Sequence, residues 1–315
     1  MDRLLLHANE IGLGLALVAV MVIFQTKSEF FLTEDNALNV GRAVSYTGIV
    51  AAVATLVLIA GELDLTVGAT LAVGGIAAAK ALNIGASPII AILAGMAAGA
   101  VIGLFNAALI VGIGVNALIA TIGMTFVWRG VAFIWTDGGP VSTFGVSWFD
   151  EIGAGQVLGA PTPMWLMFVV FVLGGFVLST TKFGSHIYAI GGSRDAARLA
   201  GLPVWRVRSA VYILSGMIAG LAGVILASSN GSGSAPVGIG VELTIIAAVI
   251  LGGTALFGGR GSMIGTFLGV LFLGALANGM NLVGLAAYWQ QFVTGVALVF
   301  AVTVDEIWRR RITPQ

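Results

Sequence analysis

Apolar residues in this chain run in long unbroken blocks, and polar residues are confined to short breaks between them. From Ile11 to Phe24 there is no charged or hydrogen-bonding side chain at all. An α-helix needs about 20 mostly apolar residues to cross a bilayer's hydrocarbon core. That ruler predicts ten spans, at 11–25, 40–60, 64–82, 88–111, 116–135, 164–180, 208–227, 240–256, 262–283 and 287–304. Two breaks are long: residues 136–163 and, on the opposite side, 181–207. The expected fold is therefore all-α and polytopic, with about ten transmembrane helices. The first span reads as uncleaved, because Asp2, His7 and Glu10 interrupt its approach and no small-x-small site follows Gln25.

Composition supports that class. Hydrophobic residues make up 58% of the chain and charged residues 9%, against roughly 25% charged in soluble domains. The 46 glycines fit spanning helices that pack closely. A net charge of zero argues against a nucleic-acid partner. With no cysteine there is no disulfide framework, thiolate metal site or cysteine nucleophile. His7 and His186 have no neighbouring cluster, so neither a metal site nor a nucleophile–base pair is expected. There is no G-x-x-x-x-G-K-[ST] phosphate loop, and Lys27, Lys80 and Lys182 are the only lysines. Neither catalysis nor a cofactor is expected of this chain.

Positive charge sets orientation. With the N-terminus inside, the inner segments carry Arg3, Lys182, Arg194, Arg198, Arg206, Arg208, Arg260 and Arg309 to Arg311, and the outer ones only Lys27, Arg42 and Lys80. Both termini are expected in the cytoplasm, with 136–163 external and 181–207 cytoplasmic. The chain also repeats itself. Asp64-Leu-Thr-Val-Gly-Ala followed by Gly74-Gly75 matches Glu242-Leu-Thr-Ile-Ile-Ala followed by Gly252-Gly253. Asn106, Gly112 and Gly123 match Asn278, Gly284 and Gly295. The matches relate spans five apart, which must run in opposite directions. The reading is a 5+5 inverted repeat, a common transporter architecture. Residues 1–160 form the first repeat with the external loop, and 161–315 the second with the cytoplasmic loop.

Within that cytoplasmic loop, Ser193 can cap a short helix whose first turn holds Asp195. Gly201 suits its C-terminal stop and Pro203 forbids continuation. About two turns do not persist alone in water, so the helix is expected to pack against something. Ser193, Arg194, Asp195, Arg198 and Gly201 are its candidate docking residues. The alternative is a solvated loop whose arginines only enforce topology.

Four segments, in order along the chain, resemble the ribose-type permeases of ATP-binding-cassette importers, within the branched-chain amino acid and sugar permease superfamily. They are Gly61-Glu-Leu-Asp64-Leu-Thr-Val-Gly68; Val115-Asn116-Ala117 with Ile119-Ala120-Thr121 and Arg129-Gly130; Gly191-Gly-Ser-x-x-Ala-Ala-Arg-Leu-Ala-Gly201; and Ala247-Ala-Val-x-Leu-Gly252-Gly253-Thr254 followed by Gly258-Gly259. Asp64, Gly68, Asn116, Gly252 and Gly253 carry the family signature. Glu62 stands where the family usually has a small residue. The resemblance implies a multi-pass subunit of a bacterial inner membrane, surrounded by lipid and paired with a second copy or a paralogue. It also implies an external sugar-binding protein, and separate ATPase subunits that dock on the short cytoplasmic helix.

Polar groups inside the spans complete the picture. Asn106, Thr121, Asn278, Asn281, Gln290 and Gln291 could line a passage or hydrogen-bond neighbouring helices, since an unpaired polar group in lipid costs several kcal/mol. Arg129 is expected to snorkel or to pair, with Asp137 as a candidate. The external loop holds Asp137, Asp150 and Glu151 with no basic residue, and Phe144, Trp148 and Phe149 as apolar surface. Two other readings stand beside sugar import: a nucleoside or branched-chain amino acid permease, and an ion-coupled secondary transporter. The last would favour acidic or histidine residues deep in the spans, whereas Asp64 and Glu242 lie at span starts.

Overall fold

The computed structural model describes residues 2–143, 145, 147–286, 288–297, 299 and 303. The first half contains α1 (Asp2–Lys27), α2 (Glu34–Ile59), α3 (Val67–Asn83), α4 (Pro88–Ala107, prolonged by a π-helical turn to Ile113) and α5 (Ala117–Thr136). Then follow α6 (Ser147–Ala154), α7 (Thr162–Thr180), α8 (Lys182–Gly192), α9 (Arg194–Leu199), α10 (Val204–Asn230), α11 (Val241–Leu251) and α12 (Met263–Leu282). Residues 288–297 are also helical. The protein is an all-α polytopic membrane protein. The described residues contain seven helices long and apolar enough to cross a membrane: α1, α2, α4, α5, α7, α10 and α12.

Two of the expected spans are shorter than the sequence suggests. α3 has 17 residues and α11 only 11, so they reach about 25 Å and about 16 Å against a core of about 30 Å. Local chemistry explains both. Gly61 (φ +71°) ends α2, and the Asp64 carboxylate accepts from the Thr66 N–H, holding 64–66 in a turn before α3 starts. α11 stops at Gly252, where Gly253 takes φ +86°. The tenth expected span, 287–304, lies partly outside the described residues.

α2 is the axis of the bundle. Its residues from Gly48 to Ile59 are buried without a break, as befits a helix that is apolar on every side and surrounded by protein. It packs on α7, α12, α11 and α10. The most extensive contact is α10 on α4, followed by α10 on α3. There the backbones touch: a Cβ on Gly99 would lie 2.0 Å from the Gly216 carbonyl oxygen, and one on Gly216 2.1 Å from that of Gly99. Small residues let these helices approach to that distance.

The segment between α5 and α7 is ordered against the end of α10. β1 (Val141–Ser142) pairs antiparallel with a strand at Ser232–Gly233, and Gln156–Val157 pairs with Ala160–Pro161. Phe149 on α6 is fully buried, while Trp148 is 45% exposed. Ser228 donates to the Phe149 carbonyl at 2.6 Å and accepts from the Gly153 N–H at 2.8 Å. Phe144 lies outside the described residues.

Candidate functional site

The signature segment 61–68 folds around a buried carboxylate. Asp64 accepts from the Thr66 N–H at 3.0 Å, the Thr66 hydroxyl at 2.5 Å, the Ser215 hydroxyl of α10 at 2.7 Å and the Asn106 amide of α4 at 3.3 Å. Asn106 also donates to the Thr66 hydroxyl at 2.8 Å, and Thr125 of α5 donates to the Leu65 carbonyl at 2.9 Å. Asp64 thus joins the start of α3 to α4 and α10, while the Leu65 carbonyl beside it ties the same turn to α5. Gly68 explains the rest of the signature: a Cβ there would lie 2.4 Å from the Gly238 carbonyl oxygen. Gly252 is under the same constraint, with a Cβ 2.4 Å from the Gly265 carbonyl carbon and oxygen. Asn116 caps α5, accepting from the Leu118 and Ile119 N–H groups.

The short helix of the 181–207 segment forms as its sequence indicates. The Ser193 hydroxyl accepts from the Ala196 N–H at 3.3 Å, and Gly201 closes the helix at φ +77°. The five candidate docking residues divide. Asp195 and Arg198 form a solvated pair 3.9 Å apart, their side chains 91% and 72% exposed, beside a Leu199 that is 90% exposed. Arg194 turns the other way, donating to the Gly61 carbonyl at 2.8 Å and to Glu62 at 2.6 Å. Arg208 and the Tyr212 hydroxyl of α10 bind the same carboxylate. Sequence reasoning missed this cluster. The available signal was the acid at position 62 itself, which departs from the small residue usual there.

A cavity of about 950 Å³ lies between α2, α11, α12 and the helical residues 288–297. Four of the six candidate lining residues face it: Asn278, Asn281, Gln290 and Gln291. Asn39, Thr47, Thr244 and Thr294 add further polar groups, and no charged residue lines it among the described residues. Asn278 and Asn36 exchange amide hydrogen bonds of 2.9 and 3.0 Å at its edge. Asn106 and Thr121 lie elsewhere. Both are fully buried, Asn106 in the Asp64 network and Thr121 donating back to the Ala117 carbonyl at 2.8 Å.

Arg129 does not pair with Asp137. It donates to the Ala235 and Val237 carbonyls at 2.5 and 2.6 Å, pinning α5 to the segment that leads into α11. Among the described residues no group of three or more acidic or histidine side chains could hold a metal ion.

Comparison with known proteins places this geometry. The family model described as branched-chain amino acid transport system / permease component matches residues 36–302. The chain is 40% identical over 294 residues to the ribose import permease protein RbsC of Escherichia coli strain K12, covering 92% of each chain. It is 39% identical over 298 residues to RbsC of Bacillus subtilis strain 168, covering 94% of this chain and 92% of that one. It is 35% identical over 303 residues to the L-arabinose ABC transporter permease protein AraH of Azospirillum brasilense, covering 96% and 89%. With the signature segment folded around Asp64 and similarity running along nearly the whole chain, this protein belongs to the branched-chain amino acid transport system / permease component family, among its ribose-type members.

Proposed function

We propose that this chain is the membrane permease subunit of an ATP-binding-cassette importer and passes a simple sugar inward. The observation that carries the cargo class is the chemistry of the cavity. The described lining, amides and hydroxyls with no charge among them, suits a neutral, polyhydroxylated solute, which offers donors and acceptors but no ion to pair. A zwitterionic amino acid would leave its carboxylate and ammonium without partners there, and an unpaired buried charge is costly. The similarity to ribose and arabinose permeases supports the same choice.

The subunit works without chemistry of its own. An external binding protein delivers the sugar, and separate ATPase subunits supply the work by docking on α9, where Asp195, Arg198 and Leu199 stand out from the surface. Two permease copies, or this chain and a paralogue, enclose the pathway. Both termini are cytoplasmic, and the chain is two five-span units of opposite orientation, residues 1–160 and 161–315. The packing supports that division: α10 lies on α3 and α4 as α2 lies on α11 and α12, and each of these helices is its counterpart five spans away. The two shortened spans, α3 and α11, also occupy corresponding positions, a feature that marks the substrate route in inverted-repeat transporters.

Two classes of substitution separate cargo from coupling. In proteoliposomes holding the full complex, Asn281→Leu with Gln290→Leu lowers uptake of ribose while the ATPase subunits remain bound. Asp195→Ala with Arg198→Glu weakens ATPase association while ribose binding to the external protein is unchanged. Both pairs behaving as wild type would overturn this assignment.

A further inference from the structure

Glu62 has a place in the fold that neither the passage nor the docking surface explains. Its side chain is fully buried in the loop joining α2 to α3. Arg194 of α9 reaches it at 2.6 Å, the Tyr212 hydroxyl at 2.8 Å, and Arg208 of α10 closes the set. Two guanidinium groups meet one carboxylate, so without the acid Arg194 and Arg208 would repel each other across the joint. Arg208 is only 14% exposed, so water could not screen it fully.

The same joint is a three-way backbone crossing. The Gly259 N–H donates to the Ile59 carbonyl at 2.8 Å. A Cβ on Gly191, in the last turn of α8, would lie 1.7 Å from that carbonyl oxygen, and one on Gly258 would lie 2.7 Å from the Gly61 Cα. The Tyr188 hydroxyl of α8 donates to the Gly261 carbonyl at 2.8 Å. α8 and α9 therefore hold the loops next to both shortened helices: the one that enters α3, through Arg194, and the one that leaves α11, through Tyr188. Glu62 sits two residues before Asp64, the hub joining α3, α4 and α10.

We propose that Glu62 is a positioning residue for coupling: it ties α9 to the loop entering α3, so that a displacement of α9 reaches Asp64 and the shortened helices instead of dissipating in the 181–207 segment. The proposal rests on the importer reading above, and two measurements keep them apart. The chain has no cysteine, so Leu199→Cys gives one spin-label site per copy. In the isolated full-length permease in lipid nanodiscs, Glu62→Gln and Arg194→Gln each raise the label's mobility, and the double variant raises it no further than either alone. In proteoliposomes with the ATPase subunits and external binding protein, ribose being the probe, each variant lowers ribose carried per ATP about tenfold. What both variants lose in common is the charge-assisted Arg194–Glu62 hydrogen bond. ATP hydrolysis continues, and Arg194→Lys restores part of the ratio. Unchanged mobility, an unchanged ribose-to-ATP ratio, or single effects that multiply in the double variant would each overturn the proposal. If Glu62→Gln does not assemble, Arg194→Gln carries both measurements, its side chain being 43% exposed. Failure of the wild-type complex to take up ribose with ATP would count against the importer reading, and label mobility in the permease alone would still decide the role of Glu62.

Discussion

Replacing Asp64 tests whether one carboxylate organises the start of α3. Asp64→Ala removes the acceptor for the Thr66 N–H, the Thr66 and Ser215 hydroxyls and the Asn106 amide. The two hydroxyls can turn to carbonyls of their own chain segments. The Thr66 N–H loses its partner, and Asn106 already has a buried Oδ1 without one. Hydrogen bonds to a charged group contribute about 1.5–3 kcal/mol each, and an orphaned buried donor costs about 1–3 kcal/mol. After the hydroxyls re-pair, the net loss is about 3–5 kcal/mol for Asp64→Ala. Asp64→Asn keeps one carbonyl oxygen for the Thr66 side and offers its amide to the Ser215 hydroxyl, which can accept; its loss is about 1–2 kcal/mol. Thermal unfolding of the purified protein in detergent, followed by tryptophan fluorescence, reads the difference. At about 2 °C per kcal/mol for a chain of this size, Asp64→Ala melts about 6–10 °C below wild type and Asp64→Asn about 2–4 °C below. An Asp64→Ala protein melting within about 2 °C of wild type, or below which Asp64→Asn falls, would refute the account of this network.

Two further outcomes follow from packing and charge. Gly216→Val must push α10 away from the Gly99 carbonyl by more than 1 Å from its 2.1 Å approach; overpacking of this kind costs about 1–3 kcal/mol. Gly14→Ala on α1 has nothing within 4 Å and leaves the melting point unchanged or slightly raised, so equal melting of the two variants would contradict the close crossing. Cysteines placed at Leu199 and at Leu158, both exposed, label from opposite faces of the membrane with an impermeant thiol reagent, and labelling of both from one face would contradict the orientation.

The long spans and the stop at Gly201 were legible because each depends on residues close in sequence. Ile11 to Phe24 must be helical in lipid whatever surrounds it, and Ser193 with Gly201 brackets α9 by local capping alone. The shortening of α3 and α11 was hidden, because both lie inside apolar blocks long enough to span. It takes the side-chain bond of Asp64 to Thr66 and the positive φ of Gly253 to break them. Partnerships across the bundle were hidden for a different reason. Asn106 and Asn278 stand at matching positions in the two similar stretches of sequence, yet one is sealed around Asp64 and the other faces a cavity. Nothing in their own sequence neighbourhoods distinguishes them. Likewise Arg194 and Arg198, four residues apart on one short helix, are separated only by Glu62, which lies more than a hundred residues away and draws one of them inward.

Uptake of labelled ribose into proteoliposomes, with ATP sealed on the cytoplasmic side, separates ATP-driven import from gradient-driven transport. Uptake is expected only when the permease, its ATPase subunits and the external binding protein are all present, and it persists when ionophores collapse proton and sodium gradients. Ribose accumulation by the permease alone, driven by such a gradient and indifferent to ATP, would contradict ATP-driven import.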